Sequence, residues 1–566
     1  MRSKHGSGSR FTARRTVWSM ALALAGVQGT AGAGSLDLGN GIDAKYNLIL
    51  GYAAAVRTEG PASALVNGPI DPATGLPSTA NADDGDRNFD SGSLINNRAS
   101  ILGEFLVSRG NYGAVLRGDA FYDQVYRGDN DNDSPGTINK SGANDEFTDE
   151  ARRYNGGRAR VLDAYLWGDW ALGNSANLNL RAGRQVVAWG ESLFFSGVAA
   201  AQGPADATKA NVPGVEVKNI LLPINQVAAQ LDLGSKLSLM GYYKLQYKPT
   251  ELEPAGAYFS TFDGIGPGAE FLYGFANPLA FPPAGPVPGA PPTVNIARGR
   301  DIEPSDHGQY GLGAKYELTG ATTVGLYWLR YHNTNPQVQL NFGFATLHPG
   351  VPGVMDPITT APNFAPVSYQ LRYFDGIDMA ALSFSTRAGP VNVAGEVSYR
   401  DGLDMLVNGP AGPTASRGKL SQALVSAIWT MPPNFLSQQI DWVGEAGYIH
   451  VEDVDAVGGS EQLTNDKKAY GYSLIATLNY RNVLQGWDLA VPVTWAHLPE
   501  GRPAMAGAFG SLYGEDDRRA SIGTRFTYLQ KLEVGLSYNA FLGSPDLQDR
   551  PYADRDYAAL NLKYSF

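Results

Sequence analysis

Apolar and polar residues alternate along this chain in long runs with period two. From Ile42 to Arg57, the residues Ile42, Ala44, Tyr46, Leu48, Leu50, Tyr52, Ala54 and Val56 share one face of an extended chain. Asp43, Lys45, Asn47 and Arg57 mark the other. Side chains point to opposite faces of a strand in turn, so the pattern predicts a strand with one greasy face. Its length exceeds the usual ~5–6 residues of a globular strand. It is enough for a tilted crossing of a bilayer, which takes about 9–11. The same pattern predicts hairpins. Arg98–Ser108 and Tyr112–Tyr126 turn at Arg109, Gly110 and Asn111, and Arg158–Leu172 and Ala176–Val187 turn at Gly173, Asn174 and Ser175. Further pairs are Ile224–Leu233 with Lys236–Lys248, Gln309–Leu318 with Thr322–Tyr331, and Arg372–Arg387 with Val391–Arg400. Lys419–Met431 with Ile440–His450, Tyr470–Arg481 with Asp488–His497, and Arg519–Tyr528 with Leu532–Leu542 complete the pairs.

The chain then ends on a strand in which Ala558, Leu560, Leu562, Tyr564 and Phe566 share a face. A terminal aromatic suits the interfacial girdle of a barrel and reads as an assembly signal carried by Tyr564 and Phe566. The expectation is an all-β fold, a transmembrane antiparallel up-and-down β-barrel of about eighteen strands (16–18). Tight turns alternate with long loops, as in barrels with short periplasmic and long extracellular connections. No motif recurs at a fixed period, which argues against a soluble propeller or β-helix.

One connection breaks the pattern. Alternation stops after Val187, and Trp189 to Pro223 reads as irregular or short helical structure. A connection of this length is uncommon unless functional. It is expected to fold back into the lumen as a constriction, with Trp189, Glu191, Leu193, Phe194, Phe195 and Lys209 as its candidate residues. Two other long connections are apolar. Gly264–Ala297 carries Phe271, Tyr273, Phe275 and Phe281, and Val338–Pro366 carries Phe342 and Phe344. They are expected at the long-loop mouth, either as a surface for a greasy molecule, or packed on each other or plugging the barrel.

Composition narrows the chemistry. Charged residues are 17% of the 566, and there are 29 Tyr against 22 Phe, an excess that suits interfacial girdles. There is no Cys, which removes thiol nucleophiles and Cys-ligated metal centres. Residues 1–33 read as a secretory signal: Arg2, Lys4, Arg10, Arg14 and Arg15 precede the apolar Val17–Val27 and the small residues Ala31, Gly32 and Ala33. Residues 34–566 then form one barrel in the outer membrane of a Gram-negative bacterium. The net charge of −11 becomes more negative once a leader with five basic and no acidic residues is removed, which disfavours nucleic acid as a partner.

The polar strand faces mix signs. Arg117, Arg181, Lys244, Arg519, Arg525 and Lys563 oppose Glu104, Asp119, Asp163, Glu396, Asp441, Glu445 and Glu533. Mixed charge favours networks that stiffen the wall over a single-sign filter. Asp129, Asp131 and Asp133 open like a calcium loop, but Ser134 and Lys140 stand where its Gly and Glu belong, so the run reads as a solvated acidic loop. The six His show no HExxH spacing, and His307 and His332 read as rim residues. No nucleophile elbow occurs in residues 34–566, and no metal site or cofactor is expected.

The phrases Gly183–Ser192, Pro254–Thr261 and Glu303–Gly311, with Asp86–Asp90 and Asp488–His497, resemble those of proteobacterial outer-membrane proteins grouped as domain of unknown function 1302. The resemblance covers nearly all of residues 34–566. It implies a β-barrel linked to breakdown or movement of hydrophobic compounds, and brings no established site residues. Residues and resemblance together lead to the expectation of a non-enzymatic channel or translocation component for hydrophobic or amphipathic compounds of fatty-acid, sterol or aromatic type. The alternatives are a general small-solute porin, an outer-membrane hydrolase and an adhesive barrel. The partners expected are outer-membrane lipid, a hydrophobic small molecule, and periplasmic or inner-membrane transport components.

Overall fold

The computed structural model describes residues 34–71, 75–216, 219–276, 293–344, 364–410 and 412–566. Residues 1–33, expected above to be a secretory signal, lie outside them. Nineteen strands share one sheet, and the first, Gly34–Asp37, is a short flap on the second. The other eighteen form the barrel. Strand β1 (Ile42–Arg57) is followed by β2 (Leu94–Arg109) and β3 (Tyr112–Asp123), then β4 (Gly157–Leu172) and β5 (Ala176–Gln185). Next come β6 (Ile224–Leu233), β7 (Leu237–Lys244), β8 (Tyr310–Thr319) and β9 (Thr322–Tyr331). β10 (Ile377–Ala388), β11 (Val391–Gly409), β12 (Gly412–Met431), β13 (Gln439–Val454) and β14 (Lys468–Leu484) follow. β15 (Trp487–Glu500), β16 (Asp517–Tyr528), β17 (Leu532–Leu542) and β18 (Tyr557–Ser565) complete the wall. Each pairs antiparallel with its sequence neighbours, and β18 returns to β1 in the register Ile49↔Ser565 to Arg57↔Tyr557. That closure removes every free edge, the condition for crossing a medium without water.

The outer surface bears out the alternation. Leu326, Leu382 and Val397 are register partners across β9, β10 and β11, and each is more than half exposed. Such a row suits contact with lipid. At the tight-turn end, Tyr112, Trp170, Tyr316, Tyr528 and Tyr564 are exposed, as a girdle requires. The Phe566 amide donates to Leu48 O (3.1 Å), and its ring meets Tyr564 edge-on at 4.6 Å.

The structure differs from the expectation in three places. β11 and β12 continue past Arg400 and Lys419, because a bulge at Asp401–Leu403, with Gly402 at φ +83°, shifts the alternation while pairing goes on. Arg372 is not part of β10. It ends a separate four-stranded sheet made of Phe271–Ala276, Thr293–Arg298, Gln337–Phe344 and Phe364–Arg372. This sheet joins the two apolar connections, so they hold each other in place. Finally, His332, directly after β9, is buried within the rim: it accepts from the Gly376 amide (3.0 Å) and sits 3.0 Å from His307 O, whereas His307 is exposed.

Apolar cores lie inside the long-loop half of the cylinder and above it. The largest joins Phe195, Val198 and Ala201 to Phe509 and Leu512 of the connection between β15 and β16 and to the wall residues Tyr327, Leu424 and Ile449. A second core, with Phe89, Tyr126, Phe147 and Tyr258, binds the loop layer.

Candidate functional site

The chain between β5 and β6 enters the barrel and crosses it. Gln185 and Ile224 face each other in register, so the whole of 186–223 is surplus to what the wall needs. It contains two short 3-10 turns, Ala199–Gln202 and Ala207–Lys209. Most of its amides lack helical partners, and wall side chains supply acceptors instead.

On one side the anchors are carboxylates. Glu445 of β13 accepts three consecutive amides, from Leu193 (3.0 Å), Phe194 (2.6 Å) and Phe195 (2.8 Å). Glu396 of β11 accepts from Glu191 (3.0 Å) and Val198 (2.9 Å). Both carboxylates are buried. Arg400 donates to the carbonyls of Ser196 (3.4 Å) and Gly197 (3.3 Å), and also to Gln422 (2.8 Å). Gly197 has no alternative there, since a Cβ would overlap Glu396 Oε1. Glu191 in turn pairs with Lys315 of β8 at 3.0 Å. Trp189 lies against Tyr242 and Tyr327, 5.0 and 6.1 Å between centroids, with its amide on Gln202 (3.1 Å).

The opposite side is held by arginines. Arg158 and Arg160 of β4 both pair with Asp206, the first at 2.6 Å, and both reach Glu251 (2.7 and 2.8 Å). Lys209 pairs with Asp119 of β3, which also holds Arg160 at 3.1 Å. Glu216 pairs with Lys563 of β18. Strands β4 and β13 stand half the circumference apart in an eighteen-stranded ring, so the segment spans the full lumen. Charge-assisted bonds of this kind contribute about 1.5–3 kcal/mol each.

The other charges singled out from sequence divide between this brace and the rest of the molecule. Arg117 pairs with Asp163 (2.6 Å) and reaches Asn219 (3.3 Å). Buried Lys244 reaches Ala201 O (3.5 Å) and Gln309 (3.3 Å). Glu104 stands in register opposite Arg117. Arg181 is exposed and donates to Asn179, and Arg525 is exposed without an ion pair among the described residues. Arg519 pairs with Asp517 (2.9 Å) and lies over Phe541 and Tyr552, bracing the loop layer and not the lumen.

The apolar candidates mostly pack. Phe195 is buried against Phe509 (5.3 Å, edge-on), and Phe194 is half-buried on the same core, while Leu193 stays 38% exposed. Phe271 and Tyr273 meet edge-on at 5.5 Å, with the Tyr273 hydroxyl on Ile138 O (2.8 Å). Phe342 is half-buried in the loop sheet. Phe275 and Phe344 belong to that sheet, but their side chains, and Phe281 altogether, lie outside the described residues.

Between the segment and the wall a cavity of about 110 Å³ remains. Ile49, Leu102, Phe121, Val212 and Val215 make its lining apolar, and Arg98, Asp119, Lys209, Glu216 and Lys563 place both charges beside them. The anchoring roles of Glu396, Glu445, Arg158, Arg160 and Asp206 were not read from the sequence. A signal was there: Glu445 stands between Val443 and Gly447 on its strand face, an acid flanked by apolar neighbours.

Three solved structures align with almost the whole chain. OccAB1 of Acinetobacter baumannii is 9% identical over 92% of this chain and 96% of its own, with a TM-score of 0.42. OccK9 (OpdG) of Pseudomonas aeruginosa is 14% identical over 92% and 98%, TM-score 0.40. The outer membrane channel DcaP of Acinetobacter baumannii is 10% identical over 95% and 100%, TM-score 0.36. No curated protein sequence matches the chain. Residues 14–566 match the family described as Protein of unknown function (DUF1302), and the chain belongs to that family.

Proposed function

We propose that the protein is a selective channel of the outer membrane that passes small amphipathic solutes, with the segment 186–223 as its constriction. A barrel of 16–18 strands leaves an aqueous channel unless something fills it. The filler here is braced to opposite walls. The charged groups that meet the segment act as anchors: Glu445 is spent on three amides and Asp206 on two arginines. That use supports transport over catalysis.

The observation that carries the cargo class is the lining of the remaining cavity. Its volume of about 110 Å³ approaches that of protein cavities of ~150 Å³ that take a benzene ring. An apolar body would meet Ile49, Leu102, Val212 and Val215, where each buried CH₂ gains roughly 0.8 kcal/mol. A carboxylate or hydroxyl head would meet Lys209, Lys563 or Arg98. The aromatic residues Phe194 and Phe195 of the segment are committed to packing, which moves the reading from a wholly hydrophobic cargo towards an amphipathic one, such as a short fatty or aromatic acid. Proteoliposomes containing the purified protein should take up aromatic and short-chain acids well ahead of sugars of equal size. Equal rates for both would make it a general small-solute porin and end this reading.

A further inference from the structure

Outside the lumen, three carboxylates meet where the long loops converge. Asp83 and Asp84 come from the connection between β1 and β2, and Asp263 from that between β7 and β8. One oxygen of each lies within 4.8 Å of the others, and all three residues are buried, at 0%, 4% and 0% exposure. The two connections touch so closely that a Cβ on Gly85 would stand 2.6 Å from the carbonyls of Ala257 and Ser260.

Their hydrogen bonds leave oxygens over. Asp263 Oδ2 accepts the Asp84 amide (3.3 Å), and Asp263 Oδ1 has no partner. Asp84 accepts the Asn139 amide (3.1 Å) and the Asn132 side chain (3.4 Å). Asp83 Oδ2 takes Arg87 (2.5 Å), and Asp83 Oδ1 has no partner, because the neighbouring Thr137 hydroxyl donates to Ser134 (3.0 Å). Asn139, itself 2% exposed, also keeps an unpartnered Oδ1. Of the surrounding cations, only Arg87 is committed to the cluster. Lys140 donates to Ala143 O, and Arg555 to the carbonyls of Tyr258 and Ser260. Three carboxylates face one arginine where water cannot screen them, an arrangement that a bound cation or bound protons must balance.

We propose that Asp83, Asp84 and Asp263 form a binding site for a divalent hard cation, Ca²⁺, that locks the loop layer over the barrel. Ca²⁺ takes oxygen ligands in flexible geometry, which suits carboxylates delivered by separate loops. The free Asp83, Asp263 and Asn139 oxygens are of the type it selects. The site is distinct from the exposed carboxylates Asp129, Asp131 and Asp133, of which Asp131 is already held by the Asp90 amide (3.0 Å); only the buried Asn132 between them reaches Asp84.

The full-length protein in detergent, stripped with EDTA, is titrated with Ca²⁺ by calorimetry and with Tb³⁺ by luminescence. One ion should bind per barrel. Asp84→Asn and Asp263→Asn should each weaken binding roughly tenfold or more, and Asp133→Asn should leave it unchanged. No ion bound from about pH 5 to 8 would mean that the carboxylates share protons instead, and would overturn the proposal. So would binding that survives Asp263→Asn but not Asp133→Asn. If the Asn variants do not assemble, Tyr273→Phe decides, because Tyr273 is tied through Asn81 to Asp263 (2.8 and 2.9 Å) and is no ligand. It should cut tyrosine-sensitised Tb³⁺ emission several-fold at unchanged Ca²⁺ affinity. Unaltered emission would place the ion elsewhere.

Discussion

Glu445 shows how a single side chain positions the constriction. Three consecutive amides, from Leu193 to Phe195, point at one buried carboxylate. A chain that turns through the lumen must satisfy its backbone somewhere, and here the wall provides an anion where the segment presents donors. Glu445→Ala removes all three acceptors and should loosen the segment by several kcal/mol, at about 1.5–3 kcal/mol per bond to a charged group. Glu445→Gln keeps a carbonyl acceptor and should fall between. Limited proteolysis of folded barrels is the measurement: cleavage within residues 192–211 should rise steeply for Ala and modestly for Gln. An Ala variant as protected as the wild type would show that Glu396 and the apolar contacts of Phe195 suffice.

At the level of elements, the wall was readable in the sequence and the loops were not. A strand that faces lipid on one side and lumen on the other must alternate, so its trace survives in every segment from Ile42 to Phe566. The bulge at Gly402 hid the extension of β11, because one extra residue reverses the phase of the pattern. The four-stranded sheet escaped for another reason. Its strands come from two connections, so no local run announces the pairing of Ala297 with Ser368 that joins them. The inward segment was readable as an interruption after Val187. Its anchors were not, because Asp206 and Arg158, or Glu445 and Phe194, lie far apart in sequence and meet only once the barrel has closed.

For the whole molecule, closure is the decisive event. β18 brings Tyr557 to Arg57 and Ser565 to Ile49, and the last residue ties back to Leu48. Deleting Phe566 takes away the girdle ring that packs on Tyr564 and should lower the yield of the heat-modifiable folded band in gels. A deletion variant that assembles at wild-type yield would show that the ring is dispensable for closure.

The central claim is that an eighteen-stranded barrel is narrowed by one segment braced across it. Its most direct test is single-channel conductance in planar bilayers, comparing the wild type with a deletion of Ser192–Asn211. Gln185 and Ile224 are neighbours in register, so the shortened connection still joins β5 to β6. A several-fold larger conductance in the deletion, with loss of discrimination between amphipathic acids and sugars, is the predicted result. Equal conductance and equal selectivity in the two proteins would contradict the account.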